Sequence, residues 1–179
     1  MKKANKRGVT LIELICVLAV VAILGTLVGG FITMAGAEYT NAALHMRAKS
    51  NVTLIQKSLE ADLRYVENAV LSNNIWSAPE KTSRVIYSNQ YNGRIYTNDG
   101  QNAAVDYFAS IPDFYDIFLY QIDFSEDKGG LSAKITAYTQ KNGLRDKKMY
   151  SAKWTLNFLN TTLAPASNPI AIWYQPLKK

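Results

Sequence analysis

Residues 7–32 read RGVTLIELICVLAVVAILGTLVGGFI, and between Val9 and Ile32 the only charged side chain is Glu13. As a helix, this run extends about 36 Å at 1.5 Å per residue, enough for a hydrocarbon core about 30 Å thick. An ordinary secretory signal has an apolar core of only about 7–15 residues. A carboxylate inside a membrane helix costs a few kcal/mol unless something neutralises it, which marks Glu13 as a candidate functional residue. Cleavage between Gly8 and Val9 would supply the missing charge. The new α-amine of Val9, with an unperturbed pKa near ~8, would stand four residues before Glu13.

The leader before that cut carries Lys2, Lys3, Lys6 and Arg7. A basic leader ending in Gly8 and followed by Val9-Thr10-Leu11-Ile12-Glu13 resembles the class III signal of type IV pilins and pseudopilins. In that family a membrane aspartyl peptidase, the prepilin peptidase, cuts after the glycine and methylates the new amine. The resemblance implies Gly8 as the cut site, Val9 as the methylated terminus, and Glu13 as the assembly residue that pairs with the N-terminus of a neighbouring subunit. It also implies partners: other pilin or pseudopilin subunits, the peptidase, membrane lipid, an assembly platform protein and an ATPase. Val9 stands where Phe is usual; methylation acts on the backbone amine, so this departure bears on processing efficiency.

Ala35-Gly36-Ala37 offers a rival small-x-small cleavage site, whose use after Ala37 would release a soluble protein. That reading accounts for neither the length of the apolar run nor Glu13. The single cysteine, Cys16, excludes an internal disulfide, and Leu14-Ile15 before it does not fit a lipoprotein signal. The net charge of +6 misleads if read as nucleic-acid affinity. Four of the twenty basic residues belong to the leader, leaving sixteen against fourteen acids. The leader charge holds that end in the cytoplasm and sends the remainder outward. Gly25, Gly29 and Gly30 weaken the helix by up to about 1 kcal/mol each relative to alanine. The family resemblance implies local unwinding there in a filament; close helix contacts in the membrane are the alternative.

Beyond Ala37, Leu44, Ala48, Val52, Ile55, Leu59, Leu63, Val66 and Val70 recur at intervals of three or four, predicting an amphipathic helix that continues to about Leu71. The opposite face carries Lys49, Lys57, Glu60, Arg64 and Glu67, with Glu60 and Arg64 spaced for an i,i+4 pair. From Ser72 the pattern changes to strands and turns. Arg84–Asn89 and Arg94–Asn98 flank Tyr91-Asn92-Gly93, a hairpin signal. Asp116–Phe124, Leu131–Gln140 and Lys147–Phe158 follow, separated by glycine turns, and read as an antiparallel meander. Tyr150, Ala152, Trp154, Leu156 and Phe158 alternate with polar residues, giving that strand one apolar face. Pro165, Pro169 and Pro176 leave at most a short edge strand at Ile170–Tyr174.

The expected fold is therefore α+β: a long N-terminal α-helix, membrane-spanning in its first half and amphipathic in its second, packed on a C-terminal antiparallel β-sheet, as in pilins. The domains are a leader at 1–8, a transmembrane or filament-core helix at 9–37, and a globular head at 38–179, made of an amphipathic helix over 38–71 and a β region over 72–179. Leu59-Glu60-Ala61-Asp62-Leu63-Arg64 resembles a segment of minor pilins and J-type pseudopilins.

No catalytic constellation, cofactor site or phosphate loop is present, so the chain reads as a structural protein and not an enzyme. His45, the sole histidine, reads as a surface residue, and no metal site is expected. Thr97-Asn98-Asp99-Gly100-Gln101-Asn102 lacks EF-hand spacing and reads as a polar turn rather than a calcium loop. Residues 99–127 hold seven acids and no base, whereas 128–153 hold seven bases and one acid, Asp146. Compensation across neighbouring strands is the plain expectation; contacts between subunits are the sharper one. DNA bound through Tyr138, Tyr150, Trp154 and nearby lysines is a further partner reading, although alternation places Tyr150 and Trp154 in the core. The function expected is that of a minor pilin or pseudopilin, a single-pass protein of the cytoplasmic membrane that reaches the cell surface on assembly. Competence and type II secretion pseudopili are the alternatives within the family.

Overall fold

The computed structural model describes residues 10–76, 83–98, 103–158, 163–164, 166 and 169–176. The chain divides into two compact units, one ending at Ala43 and one beginning at Leu44. A single helix, α1, spans Leu11–Leu63 and belongs to both. In the first unit its apolar side chains are exposed throughout. It stays helical through Gly25, Gly29 and Gly30, and a Cβ at any of these would meet nothing within 4 Å. The hydroxyls of Thr26, Thr33 and Thr40 donate to the carbonyls of Ile23, Gly30 and Gly36 at 2.8, 2.8 and 2.9 Å. These polar side chains are thus satisfied inside the helix itself, as an apolar surrounding requires.

In the second unit Ala48, Val52, Ile55, Leu59 and Leu63 are fully buried, and Leu44 packs against them. That is the stripe expected from the three-and-four spacing. The helix nevertheless ends at Leu63, short of the expected Leu71. Val66 and Val70 keep a helical interval, but Ala69 and Leu71 are both buried, an alternation of period two that suits a strand. Strand β1 (Asn68–Ser72) takes that option by pairing with a distant partner. The expected Glu60–Arg64 pair gives way to a hydrogen bond from Gln56 Nε2 to Glu60 Oε1 at 3.0 Å.

The strands form two sheets where one was expected, and the expected meander over 116–158 is the second of them. The first orders β4 (Val105–Asp106), β3 (Ile95–Asn98), β2 (Arg84–Ser88), β9 (Ala171–Gln175), β1 and β8 (Leu163–Ala164). All its pairings are antiparallel except that of β1 with β8. The tail strand β9 is central rather than an edge: it lies between β2 and β1, and all five of its residues are buried. Its run Ala-Ile-Trp-Tyr-Gln lacks the alternation of a half-wet strand because both faces are covered. Ile172 and Tyr174 join the main core, while Ala171 and Trp173 pack with Val85, Val70, Ile75 and Tyr87 on the reverse face. The indole Nε1 of Trp173 donates to the carbonyl of Asn74 at 2.9 Å.

The second sheet is the antiparallel series β5 (Phe118–Asp127), β6 (Gly130–Lys141) and β7 (Leu144–Leu156). Lys128-Gly129 and Asn142-Gly143 all have positive φ, from 54° to 81°, which is the backbone of a two-residue I′ turn and matches the twist of the strands. Phe118, Tyr120, Ile122 and Phe124 of β5, with Ala133, Ile135 and Ala137 of β6 and Trp154 and Leu156 of β7, share one core with the second half of α1. The apolar face of β7 is the one expected.

The two sheets join along the free edge of β5. The amide of Tyr120 donates to Gly93 O at 2.8 Å and that of Ile122 to Ser88 Oγ at 3.0 Å. Gly93 stands in the expected turn with φ of +61°, and a Cβ there would lie 2.4 Å from Leu119 Cβ. Both the turn and the close approach therefore require glycine.

Candidate functional site

Thr10 precedes the first residue of α1, and Glu13 occupies the third helical position. The Thr10 hydroxyl accepts from the Glu13 amide at 3.3 Å. The Glu13 carboxylate reaches back to the Thr10 amide at 2.8 Å and to its hydroxyl at 2.9 Å. This is a reciprocal capping box, which satisfies helix-end donors that would otherwise lack partners. Both contacts made by the carboxylate use Oε2; Oε1 has no partner among the described residues. Leu11, Ile12, Leu14 and Ile15 surround it, 55–78% exposed.

The chemistry available here is electrostatic rather than catalytic. A carboxylate set at a helix N-terminus is favoured by the positive end of the helix dipole. Two local donors lower the cost of placing it among apolar groups, yet one oxygen stays open to a cation. Gly8 and Val9, the expected processing residues, lie outside the described residues. Thr10 was not singled out in the sequence, although Thr10-x-x-Glu13 ahead of an apolar run is itself the capping-box pattern.

Among the described residues one helix, α1, is long and apolar enough to cross a membrane. Cys16 is a free thiol on its exposed surface. Among the described residues, no group of three His, Cys, Asp or Glu side chains is placed to hold a metal ion. His45 is exposed and meets the Tyr150 ring edge-on at 5.6 Å. Of the polar stretch 97–102, Thr97 and Asn98 end β3 and the rest lies outside the described residues.

The charged halves of the head partly compensate. Asp123 lies opposite Lys134 and Lys134 opposite Lys153, while Lys153 Nζ is 3.7 Å from Asp127. Arg94 Nη1 binds Asp106 Oδ2 at 3.1 Å and its guanidinium also lies over Tyr115, 5.2 Å from the ring centre. At the β6–β7 tip Lys141, Lys147 and Lys148 are exposed and in no ion pair among the described residues. The aromatics of the DNA reading are engaged elsewhere: Trp154 and Tyr150 belong to the core, and Arg145 lies over Tyr138 at 5.5 Å.

Open cavities among the described residues of the head include two of note. One, of about 250 Å³, is lined by Ile75, Tyr87, Asn89, Tyr91 and Ile170 among others. The other, of about 470 Å³, is polar and bordered by Asn92, Arg94, Tyr115, Asp116 and Gln140. Neither holds a cluster of perturbed acids and bases.

A family model described as the prokaryotic N-terminal methylation motif matches residues 3–29, the segment that contains the expected cut site, Glu13 and most of the apolar run. No curated protein and no solved structure matches the chain.

Proposed function

We propose that this chain, which carries the N-terminal methylation motif of the type IV pilin and pseudopilin family, is a minor pilin or minor pseudopilin: a structural subunit, not an enzyme. Prepilin peptidase cuts it between Gly8 and Val9 and methylates the Val9 amine. The apolar half of α1 holds the subunit in the cytoplasmic membrane, leader inside and head outside, until assembly draws it into the filament. Glu13 then pairs with the N-terminal amine of a neighbouring subunit.

The observation that carries this reading is the joint occurrence of the motif, a carboxylate at the third helical position with one oxygen free, and an apolar helix surface that its own chain leaves uncovered. A simple membrane anchor needs the last of these but gains nothing from the carboxylate. N-terminal sequencing and intact mass of the membrane-extracted protein, expressed with its native peptidase, test the proposal. A monomethylated terminus at Val9 is the expected result. A start at Glu38 would make the protein a secreted domain, and an intact Met1 a plain anchor.

A further inference from the structure

The two edges of the three-stranded sheet are treated differently by the rest of the head. The β5 edge is covered, since Gly93 and Ser88 accept the amides of Tyr120 and Ile122. The β7 edge is not. This thirteen-residue strand pairs with β6 alone, across two register shifts, and among the described residues no backbone bond reaches its other side. A row of unpaired peptide groups of this length is a template for another strand.

The side chains along that edge describe what would fit. On the core side Met149, Tyr150 and Ala152 pack against the core but remain half exposed, whereas Phe118, Tyr120 and Ile122 on the covered edge are at most 3% exposed. Trp154 and Leu156 of that face are buried, so the core is left open at the Met149–Ala152 stretch of β7. On the other face Lys148 lies opposite Tyr138 and Lys153 opposite Lys134. Two copies of β7 set edge to edge would bring lysines together, which disfavours self-pairing. A strand with acids on one face and apolar residues on the other would meet lysines with the first and complete the core with the second.

We infer that the β7 edge is a docking site for an extended, acidic, amphipathic strand contributed by a different subunit of the filament, added in the manner of β-augmentation. The inference rests on the filament-subunit reading. It gives the polarised charge of the head a use: the cations that repel a second copy select the unlike neighbour.

Hydrogen exchange on the full-length protein, compared between the membrane-held subunit and isolated filaments, tests it without altering the chain. The expected result is a slowing by about tenfold or more of amides within Lys148–Thr155 on assembly. Exchange there at an unchanged rate, in filaments that contain the protein, would overturn the inference and leave the subunit reading intact. Absence of the protein from filaments would overturn both. The paired substitution Lys147→Glu with Lys148→Glu, at two exposed positions, is expected to reduce incorporation severalfold while the thermal unfolding of the head stays unchanged. Normal incorporation of that variant would count against the role of charge in selecting the strand.

Discussion

Residues 11–43 and 44–63 belong to one uninterrupted helix, yet they solve opposite problems. In the second stretch apolar residues recur at three and four, and Ala48, Val52, Ile55, Leu59 and Leu63 disappear from solvent against the chain's own sheets. In the first, apolar residues run all round the helix, and Val17, Leu18, Val21, Leu24 and Leu27 are 55–65% exposed. A helix apolar on all sides must find an apolar surrounding. One half is complete within the monomer, and the other becomes complete only in lipid or among other helices. The carboxylates differ likewise: Asp62 accepts from the Tyr107 hydroxyl, far along the chain, whereas Glu13 is met, among the described residues, only by Thr10 at its own helix end.

The sharpest way to break this comparison is Glu13→Ala. It is expected to reduce incorporation into filaments by tenfold or more, in line with a charge pair worth a few kcal/mol in an apolar setting, with cleavage after Gly8 and head stability unchanged. Immunoblots of sheared filaments against membranes would measure it, and equal incorporation would remove Glu13 from assembly. In the other half Leu59→Ala should lower head stability by about 2–5 kcal/mol, because it opens a cavity in a closed core. Leu18→Ala should leave that stability within about 0.5 kcal/mol. Denaturant unfolding in detergent, followed by tryptophan fluorescence, distinguishes the two, and similar losses would mean that the halves are not independent.

Alkali should weaken the core that the second half shares with the sheets. Burial pushes the Tyr120 and Tyr174 phenols up to about 12, against about 10 in the unfolded chain. Each group holds its proton more tightly when folded, so its contribution is complete below about pH 10 and is lost as pH rises towards 12. The loss is up to about 1.4 kcal/mol per pH unit for each tyrosine. Unfolding midpoints measured from about pH 9 to about pH 11.5 should fall, and flat midpoints would contradict the burial of these hydroxyls. The smallest expected effect is that of Thr10→Ala, which removes half of the capping box. It should cost about 1 kcal/mol of helix-end stability, seen as faster exchange of the Glu13 amide with no change in the head.

The halves of α1 were legible in the sequence to different depths. Composition alone locates the apolar half, since one acid in so long a run is a strong signal, and the buried stripe follows from its spacing. Where the helix stops does not follow. Val66 and Val70 extend the helical interval, and the decision for a strand comes from β9, about a hundred residues later in the chain. Long-range pairing leaves no local mark. The rank of β9 was misread for a related reason: flanking prolines suggest an edge, but two covered faces and two hydrogen-bonded neighbours place it at the centre. The turns at Asn92-Gly93, Lys128-Gly129 and Asn142-Gly143 were readable because glycine takes positive φ without strain. The Thr10 cap was also readable, through its spacing to Glu13.

The position of β9 has a consequence for timing. This strand follows every other strand in the chain, and β1 and β2 both wait for it with an open edge. The six-stranded sheet therefore cannot close in the order in which its strands are made. Pairings this distant in sequence are slow to form and leave strand edges exposed meanwhile. The apolar run, by contrast, lies ahead of the head and requires nothing from it. In the proposed membrane subunit, insertion into the bilayer can thus be finished while the head is still a loose chain, which separates maturation into an early membrane event and a late folding event.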